Sequence, residues 1–223
     1  MRLEGQSILV LGGGQMPGET IGNGRATSIA FAREGAHVVV ADLHLERAAE
    51  TVADIESEGF RAEAIQADVT DEDACRRAIG RTLELCGQLD VLHYNVGIAG
   101  GDAPAHALSR EGWDRMLEVN TTGFFLSAKH ALPAMRRQGK GTILAVSSIA
   151  AMWTFGTTVA YKCSKAAMNA FVQSTAVSNA KYGIRVNAIL PGLMDTPIAI
   201  ESTHEATGRP RTQIREDLSL IHI

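Results

Sequence analysis

Two side chains that can exchange a proton with an alcohol lie four residues apart, at the start of a stretch with helical apolar spacing. Tyr161 and Lys165 therefore share one face of the predicted helix. A free phenol, with a pKa of about 10, exchanges protons poorly at neutral pH, but a neighbouring ammonium stabilises the phenolate and lowers that pKa. Tyr161 can then act as a general acid or base on an alcohol or carbonyl oxygen. Ser148, at the end of the preceding strand run, can hydrogen-bond the same oxygen. The pair alone leaves open that Tyr161 and Lys165 meet by chance on an exposed helical face.

A glycine-rich run, GGGQMPGETIGNG, separates the first strand run from the first helical stretch. Such a turn lets backbone N–H groups and a helix N-terminus approach a pyrophosphate closely. Gly12 closes the strand, and Gly22 and Gly24 stand at the helix entry. Asp42 ends the next strand run, where a carboxylate accepts from adenosine ribose hydroxyls and repels a 2′-phosphate. No Arg or Lys immediately precedes Gly22 or follows Asp42, so the sequence favours NAD over NADP. The alternative is an aspartate that merely begins a loop.

The elements that must position these residues alternate along the chain. Short β-rich runs that are apolar at successive residues indicate strands covered on both faces. Strand–helix–strand repeats build a parallel sheet with right-handed crossovers. The predicted strands are 7–11, 36–41, 62–66, 90–94, 141–146 and 184–189, and the predicted helices are 25–34, 45–58, 71–85, 109–138 and 159–182. We therefore predict an α/β fold: a Rossmann-type doubly wound parallel sheet in three α/β/α layers, a single domain over residues 1–217, with ligands at the carboxyl ends of the strands.

The composition limits the partners. The 223 residues are 45% apolar and 21% charged, with a net charge of -4 and no basic cluster, which argues against nucleic acid and anionic membranes as partners. No apolar run approaches the roughly 18 residues that span a bilayer, and the first residues do not have a signal-peptide pattern. Three cysteines without a CxxC spacing favour a reduced, cytoplasmic setting. The histidines form no HxxH or HxxxH pair, so no metal site is expected.

Together these residues resemble the short-chain dehydrogenase/reductase family over residues 7–197, most of the chain. The resemblance implies that Ser148, Tyr161 and Lys165 form the family's catalytic Ser–Tyr–Lys set. It implies that Asn120, in EVNTTGFFL, supports a proton relay through water to Lys165, which would also bind the nicotinamide ribose. The dinucleotide contacts implied by the resemblance and the glycine-rich turn are Gly12, Gly22, Asn23, Gly24, Asp42, Leu43, Asp68, Val69, Asn95, Gly97, Tyr161, Lys165, Pro191, Gly192 and Thr196. Asp68 and Val69 resemble the adenine-contacting pair, and Pro191, Gly192 and Thr196 resemble the segment that holds the nicotinamide.

Three features depart from the family pattern. Nine residues rather than three separate Gly12 from Gly22, and Leu11 replaces a threonine, which we interpret as a subgroup with an enlarged glycine-rich loop. Tyr94-Asn95-Val96-Gly97 replaces the usual NNAG. The sequence has no run for the family's seventh strand, and from residue 198 onward it turns polar, as in a mobile loop or a helical lid over the sheet edge. The last six residues, LSLIHI, match what a transposon adaptor end encodes in one reading frame. We interpret 218–223 as a non-native tail, the alternative being a natural apolar tail.

Apolar residues border the predicted substrate position. They are Met152, Trp153 and Phe155 before Tyr161, and Leu193 and Met194 after Pro191. With Ser148, Trp153 and Tyr161 as the predicted substrate contacts, they favour a hydrophobic alcohol or ketone, and core packing is the competing explanation. Apolar residues at 124–126 and at 168, 171 and 172 lie in two helical stretches that resembling proteins use for dimer and tetramer contacts. We therefore expect a homo-oligomer, a dimer or a homotetramer, with burial inside the monomer as the alternative.

The function that these observations favour is that of an NAD(P)-dependent oxidoreductase. It would transfer a hydride between a nicotinamide cofactor, preferably NAD, and a secondary alcohol or ketone. One alternative is a non-catalytic nucleotide-binding protein built on the same fold, against which the intact Ser148, Tyr161, Lys165 and Asn120 argue. Another is a 3-oxoacyl-thioester reductase, against which Asp42 argues because such reductases prefer NADPH.

Overall fold

A six-stranded sheet forms the centre of the computed structural model, which describes residues 1–153 and 159–220. The strands are β1 (Ser7–Leu11), β2 (His37–Asp42), β3 (Ala62–Gln66), β4 (Val91–Tyr94), β5 (Gly141–Val146) and β6 (Ile184–Ile189). Every pairing is parallel, and the strand order is β3-β2-β1-β4-β5-β6. This is the order of a doubly wound dinucleotide-binding sheet, so the predicted Rossmann-type α/β fold is confirmed.

Helices cover both faces of the sheet. They are α1 (Asn23–Arg33), α2 (Leu45–Ser57), α3 (Glu72–Cys86), α4 (Arg110–Leu117), α5 (Gly123–Gln138), α6 (Ala160–Asn179), α7 (Pro197–Thr207) and α8 (Arg211–Leu220). The apolar residues of α1 and α2 pack on one face, and those of α3, α5 and α6 pack on the other, which gives the three predicted layers. The polar segment after residue 198 is helical, and α8 runs across the predicted boundary at residue 217. Among the described residues, no helix is long and apolar enough to cross a membrane.

The strand β1 explains why the strand runs are apolar without alternation. Leu9 and Leu11 contribute to the apolar layer on one face of the sheet, and Ile8 and Val10 to the layer on the other. All five residues of this strand are buried. Because neighbouring side chains point to opposite faces of a strand, a strand that is covered on both faces needs apolar residues throughout.

The predicted helix 109–138 is interrupted at its centre. A π-helical turn, Glu118–Thr122, lies between α4 and α5 and has the buried Asn120 at its middle. A π turn takes up an extra residue without ending the helix, and such turns are frequent at functional sites. The apolar periodicity predicted one continuous helix because α4, the π turn and α5 follow one another without a non-helical residue between them.

The histidine at the centre of β4 is buried without hydrogen bonds. His93 is 2% exposed, and its ring meets the ring of Phe31 edge-on, with 5.7 Å between centroids. Neither ring nitrogen has a hydrogen-bond partner within the described part of the chain. Burial lowers the pKa of His93 from 6.5 to about 4, because no acceptor compensates a charged imidazolium there.

We expect His93→Leu to remove part of the acid sensitivity of the fold. The pKa of His93 is lower in the folded state than in the unfolded state, so its contribution to stability is complete above about pH 6.5 and is lost as the pH falls towards 4. At pH 5 this loss amounts to about 2 kcal/mol relative to pH 7.5. Urea unfolding at pH 5 and pH 7.5 measures this difference in the free energy of unfolding. The matched control is His106→Leu, at an exposed histidine. An equal pH dependence in wild type and His93→Leu would contradict the assignment.

Candidate active site

The predicted site residues at the carboxyl ends of β1, β2 and β4 meet at one edge of the sheet. Gly12 follows β1 with a φ of +75°, a conformation that favours glycine, and its N–H donates to the carbonyl of Ala41 at 2.8 Å. The side-chain amide Nδ2 of Asn95 donates to the carbonyl of Gly12 at 2.9 Å. Asn95 therefore links the end of β4 to the first glycine of the turn.

The first turn of α1 approaches this backbone so closely that only glycine fits. A Cβ atom at Gly24 would lie 1.9 Å from the carbonyl oxygen of Gly12 and 2.7 Å from Nδ2 of Asn95. Gly22 is the N-cap and has no side chain that could accept from the N–H groups of Asn23 and Gly24. The helix therefore presents its N-terminal N–H groups, with the positive end of its dipole, at the sheet edge, as an anion-binding turn requires.

Two further glycines of this turn were not singled out from the sequence. A Cβ atom at Gly13 would lie 2.7 Å from Cγ1 of Val40, and one at Gly14 would lie 2.7 Å from Oδ2 of Asp42. Both are therefore required by the close packing of the turn on β2. The signal was present in the uninterrupted GGG run.

The carboxylate of Asp42 lies against the glycine turn. It accepts hydrogen bonds from the backbone N–H groups of Gly14, at 3.2 Å, and His44, at 3.1 Å. Leu43, which follows it, is half exposed. The side chain of Arg47 begins beside the same point, since a Cβ at Gly14 would lie 2.8 Å from Cβ of Arg47. Sequence reasoning considered only the immediate neighbours of Asp42 and missed this basic residue.

The predicted adenine-contacting pair follows β3. Asp68 is exposed, and its Oδ1 accepts from both the N–H and the hydroxyl of Thr70. Val69 is buried in the apolar core. The structure thus leaves Asp68 accessible at the surface, whereas the side chain of Val69 packs inward.

The enlarged glycine-rich loop reaches the segment after β6. A Cβ atom at Gly18 would lie 2.8 Å from Cβ of Pro197, the first residue of α7. Oε2 of Glu19 lies 2.7 Å from Nη1 of Arg215 in α8. Thr196, predicted to contact the nicotinamide, is the buried N-cap of α7. The turn and this segment are therefore in direct contact.

Pro191 and Gly192, the other two residues predicted to hold the nicotinamide, follow β6 directly. The carbonyl of Pro191 accepts from the N–H of Ile149, one residue after Ser148, at 3.0 Å. Gly192 is exposed. This part of the predicted cofactor segment is thus hydrogen-bonded to the short turn that begins at Ser148.

The structure brings the side chains of Ser148 and Tyr161 close to each other. Ser148 follows β5 and caps a short 3-10 turn, with its Oγ accepting from the N–H of Ala150 at 3.1 Å. Tyr161 lies in the first turn of α6. Burial raises the pKa of the Tyr161 phenol above its ordinary value, and a hydrogen bond with Ser148 partly opposes that increase.

Lys165 lies one turn further along α6 and is buried. Its Nζ is 5.8 Å from the centroid of the Tyr161 ring and donates to the carbonyl of Val146 at 2.9 Å. Burial lowers the pKa of Lys165 to about 8, so the ammonium remains the main form at neutral pH. The prediction that this ammonium lowers the pKa of Tyr161 is wrong: burial dominates in the structure and raises that pKa.

Asn120 joins this group from the π turn. Its Oδ1 accepts from the N–H of Ile98 at 2.8 Å, and its Nδ2 donates to the carbonyl of Ile98 and to Oγ of Ser164, each at 3.0 Å. A Cβ atom at Gly97 would lie 3.1 Å from Nζ of Lys165 and 3.5 Å from Oδ1 of Asn120. Gly97 therefore packs closely against these two polar groups, and a side chain at this position would crowd Nζ of Lys165.

The apolar residues predicted to border the substrate lie at the surface. Met152 is 70% exposed and Trp153 is 64% exposed, beside the Ser148 turn, and Met194 is 46% exposed after β6. Core packing therefore does not explain these three side chains. Phe155 lies outside the described residues. Within residues 1–153 and 159–220, no group of three His, Cys, Asp or Glu side chains is placed to hold a metal ion.

Comparison with known proteins identifies relatives over nearly the whole chain. A family model of the short chain dehydrogenases matches residues 7–207. The chain is 40% identical over 181 residues to the cis-4-hydroxycyclohexanecarboxylate dehydrogenase of Sinomonas cyclohexanicum. The aligned residues cover 81% of this chain and 72% of that protein. It is 34% identical over 197 residues to the cyclopentanol dehydrogenase of Comamonas sp., and this alignment covers 88% of this chain and 76% of that protein. A solved short-chain dehydrogenase/reductase structure from Burkholderia xenovorans is similar with a TM-score of 0.91 at 34% identity, over 98% of this chain and 82% of that one.

We expect Gly24→Ala to destabilise the fold severely. The new Cβ would overlap the carbonyl oxygen of Gly12, which is backbone and cannot rotate away, so α1 must move off the sheet edge. The free energy of unfolding should fall by about 3 kcal/mol or more, at the upper end of overpacking costs. The matched control is Gly80→Ala in α3, where a Cβ would meet open space and helix propensity should raise stability by up to about 1 kcal/mol. Urea unfolding of both variants tests this, and a Gly24→Ala protein as stable as wild type would refute it.

Proposed function

The chain belongs to the short-chain dehydrogenase family, whose model matches residues 7–207, and on that premise we propose that it transfers a hydride between NAD and a secondary alcohol or ketone. The observation that carries the proposal is the Tyr161 phenol, which lies one helical turn from the buried Lys165, with 5.8 Å between Nζ and the ring centroid, and close to the hydroxyl of Ser148. These groups lie beside the glycine turn at the carboxyl edge of the sheet. When bound, the nicotinamide ring supplies the hydride acceptor or donor.

The residues at the sheet edge fit a dinucleotide. The contact of Gly24 with the backbone of Gly12 leaves the N-terminus of α1 open to a pyrophosphate, with Gly22 and Asn23 beside it. We assign Asp42 to the adenosine ribose, Leu43, Asp68 and Val69 to the adenine, and Asn95, Gly97, Pro191, Gly192 and Thr196 to the nicotinamide half. This assignment follows the strand ends across the sheet from β3 and β2 through β4 to β6.

We assign the proton transfer to Tyr161. In the reduction direction, its phenol donates a proton to the carbonyl oxygen while the hydroxyl of Ser148 hydrogen-bonds the same oxygen. Burial raises the pKa of Tyr161, so the phenol is its form at neutral pH and is ready to donate. In the oxidation direction, the phenolate accepts the alcohol proton, and the ammonium of Lys165 stabilises that negative charge. We assign the proton relay through water to Lys165 and Asn120, whose polar atoms both lie beside Gly97.

We propose a cyclic, hydrophobic secondary alcohol or the corresponding ketone as the substrate. Two relatives are named for acting on a substituted cyclohexane and on cyclopentanol. The exposed Met152 and Trp153 provide apolar surface directly after the turn that Ser148 caps, and the exposed Met194 provides more after β6. Apolar surface around the two hydroxyl groups of Ser148 and Tyr161 suits a hydrocarbon ring whose reacting alcohol or ketone oxygen binds those hydroxyls.

We also propose a homo-oligomer, dimer or tetramer, that assembles through α5 and α6. Phe125 in α5 is 42% exposed, and with Phe171, Leu132 and Pro133 it lines an open groove between the two helices. Phe124 is buried in the core, so burial inside the monomer accounts for that residue. A second copy of this chain is the occupant we propose for the groove.

The three free thiols support the proposed cytoplasmic setting.

We expect Tyr161→Phe to lower kcat/KM by about 10²–10⁴-fold, the usual size of a lost general acid or base. The dissociation constant for NADH should stay within about two-fold, because the ring and its packing remain. The assay is the oxidation of cyclohexanol by NAD, with NADH binding measured by fluorescence. The control is Tyr182→Phe, whose ring lies against Arg136 at the far end of α6 and should keep wild-type turnover. Wild-type kcat/KM in Tyr161→Phe would end the assignment of the proton transfer to Tyr161, whereas a wild type that binds NADH without any turnover would favour the non-catalytic alternative.

We expect NADH to raise the melting temperature more than NADPH does. A ligand at about 100 times its dissociation constant stabilises a fold by about 2.7 kcal/mol, and the charge of Asp42 should deny most of that gain to a 2′-phosphate. Asp42→Asn keeps a side-chain oxygen at this position but removes the charge, so the difference between the two cofactors should narrow. A larger shift with NADPH in the wild type would contradict the preference. It would point to Arg47 as a phosphate partner and favour the thioester reductase.

A further inference from the structure

One carboxylate outside the predicted site binds the N-terminus of the helix that carries Tyr161. Oδ1 of Asp102 accepts from the N–H groups of Val159, at 3.1 Å, and Ala160, at 3.0 Å. Oδ2 accepts from the N–H of Tyr161 itself at 2.8 Å. The N–H of Ala103 also donates to Oδ1, at 2.8 Å. Four backbone donors therefore occupy the two oxygens of this carboxylate.

The start of α6 needs such an acceptor from elsewhere in the chain. The first N–H groups of any α-helix lack intrahelical acceptors, and a polar N-cap side chain usually supplies one. The N-cap of α6 is Val159, whose apolar side chain cannot accept a hydrogen bond. Asp102, 57 residues earlier, takes that role, and its negative charge also complements the positive end of the helix dipole.

The loop that carries Asp102 is held at both ends. At its beginning, Ile98 exchanges two hydrogen bonds with Asn120 of the π turn. Just before Asp102, Gly101 adopts a φ of +82°, and its carbonyl packs against Gly112 of α4, where a Cβ would lie 2.9 Å away. The loop between β4 and α4 therefore connects the π turn to the first turn of α6.

We propose that Asp102 is a positioning residue for the reaction proposed above: it fixes the first turn of α6 so that the Tyr161 phenol stays in register with Ser148. The proposal rests on the proposed function for its kinetic consequence only. Since the oxygens of Asp102 are taken by backbone donors, the residue acts through the main chain of Tyr161 rather than on the substrate. A displacement of about 1 Å at a reacting group can cost about a hundred-fold in rate, so a cap at this position has a large effect.

The kinetic test compares Asp102→Ala and Asp102→Asn with wild type in the cyclohexanol and NAD assay. In Asp102→Ala we expect kcat to fall by about ten- to a hundred-fold, with the dissociation constant for NADH unchanged, because the glycine turn is not touched. Asp102→Asn keeps one oxygen for Val159 and Ala160 but turns an NH2 group towards the N–H of Tyr161. Its kcat should therefore lie between those of wild type and Asp102→Ala. If the alanine variant does not fold, the comparison of Asp102→Asn with wild type is the kinetic test.

A matched control separates positioning from loss of stability. Asp71 caps α3 by accepting from the N–H of Asp73 at 2.9 Å. Asp71→Ala therefore removes a carboxylate cap from another helix and should leave kcat unchanged. A kcat in Asp102→Ala within two-fold of wild type, or the same relative loss of kcat in Asp71→Ala, would overturn the proposal.

A readout independent of turnover uses the three tyrosines of the chain. With 3-fluorotyrosine incorporated, Tyr161→Phe assigns one of the three fluorine resonances. In Asp102→Ala the Tyr161 resonance should shift or broaden while that of Tyr182 stays in place, and amide hydrogen exchange at 159–161 should become faster. If the wild type shows no turnover, the proposed function is wrong. The fluorine spectra and the hydrogen exchange then still test whether Asp102 positions Tyr161. An unchanged Tyr161 resonance would overturn the positioning role.

Discussion

A single buried side-chain amide joins the three segments on which the site depends. Asn120 bonds both backbone groups of Ile98 and donates to Oγ of Ser164, which in turn donates to the carbonyl of Tyr161 at 2.7 Å. A buried polar group that loses its partners costs about 1–3 kcal/mol, so none of these segments can move without that cost. The loop after β4, the π turn and the first turn of α6 therefore share one arrangement. The first turn of α6, which carries Tyr161, is held by this network.

The π turn itself requires a compensation that explains an unusual residue. A π turn changes the partners of the backbone carbonyls around it, and the carbonyl of Val119 accepts a hydrogen bond from Oη of Tyr94 at 2.7 Å. Burial raises the pKa of Tyr94 well above its ordinary value, so the phenol keeps its proton and remains a donor. A Cβ at Gly123 would lie 2.6 Å from this oxygen. The tyrosine in place of the family's asparagine is thus matched by a glycine on the facing helix.

The sequence predicted those parts of the molecule that depend on local periodicity. The strands followed from apolar runs because each strand is packed on both faces, and the Tyr161–Lys165 spacing placed two side chains on one helical face. What it missed depends on contacts between distant residues. The π turn leaves the apolar pattern of 109–138 unchanged, and the direction of Lys165 is decided by the carbonyl of Val146. The bonds of Asp102 to α6 carry no motif, because any acceptor on the facing loop could have made them.

The glycine-rich loop between Gly12 and Gly22 contacts both α7 and α8. Its ion pair between Glu19 and Arg215 is exposed and contributes little to stability. The contact of Gly18 with Pro197 matters more, because the backbone of the loop packs directly on the side chain of the first residue of α7. Any residue larger than glycine at position 18 would displace either the loop or Pro197, and Thr196 with it. The turn at the N-terminus of α1 and the segment after β6 therefore behave as one packed unit, so the two ends of the proposed dinucleotide site are positioned together.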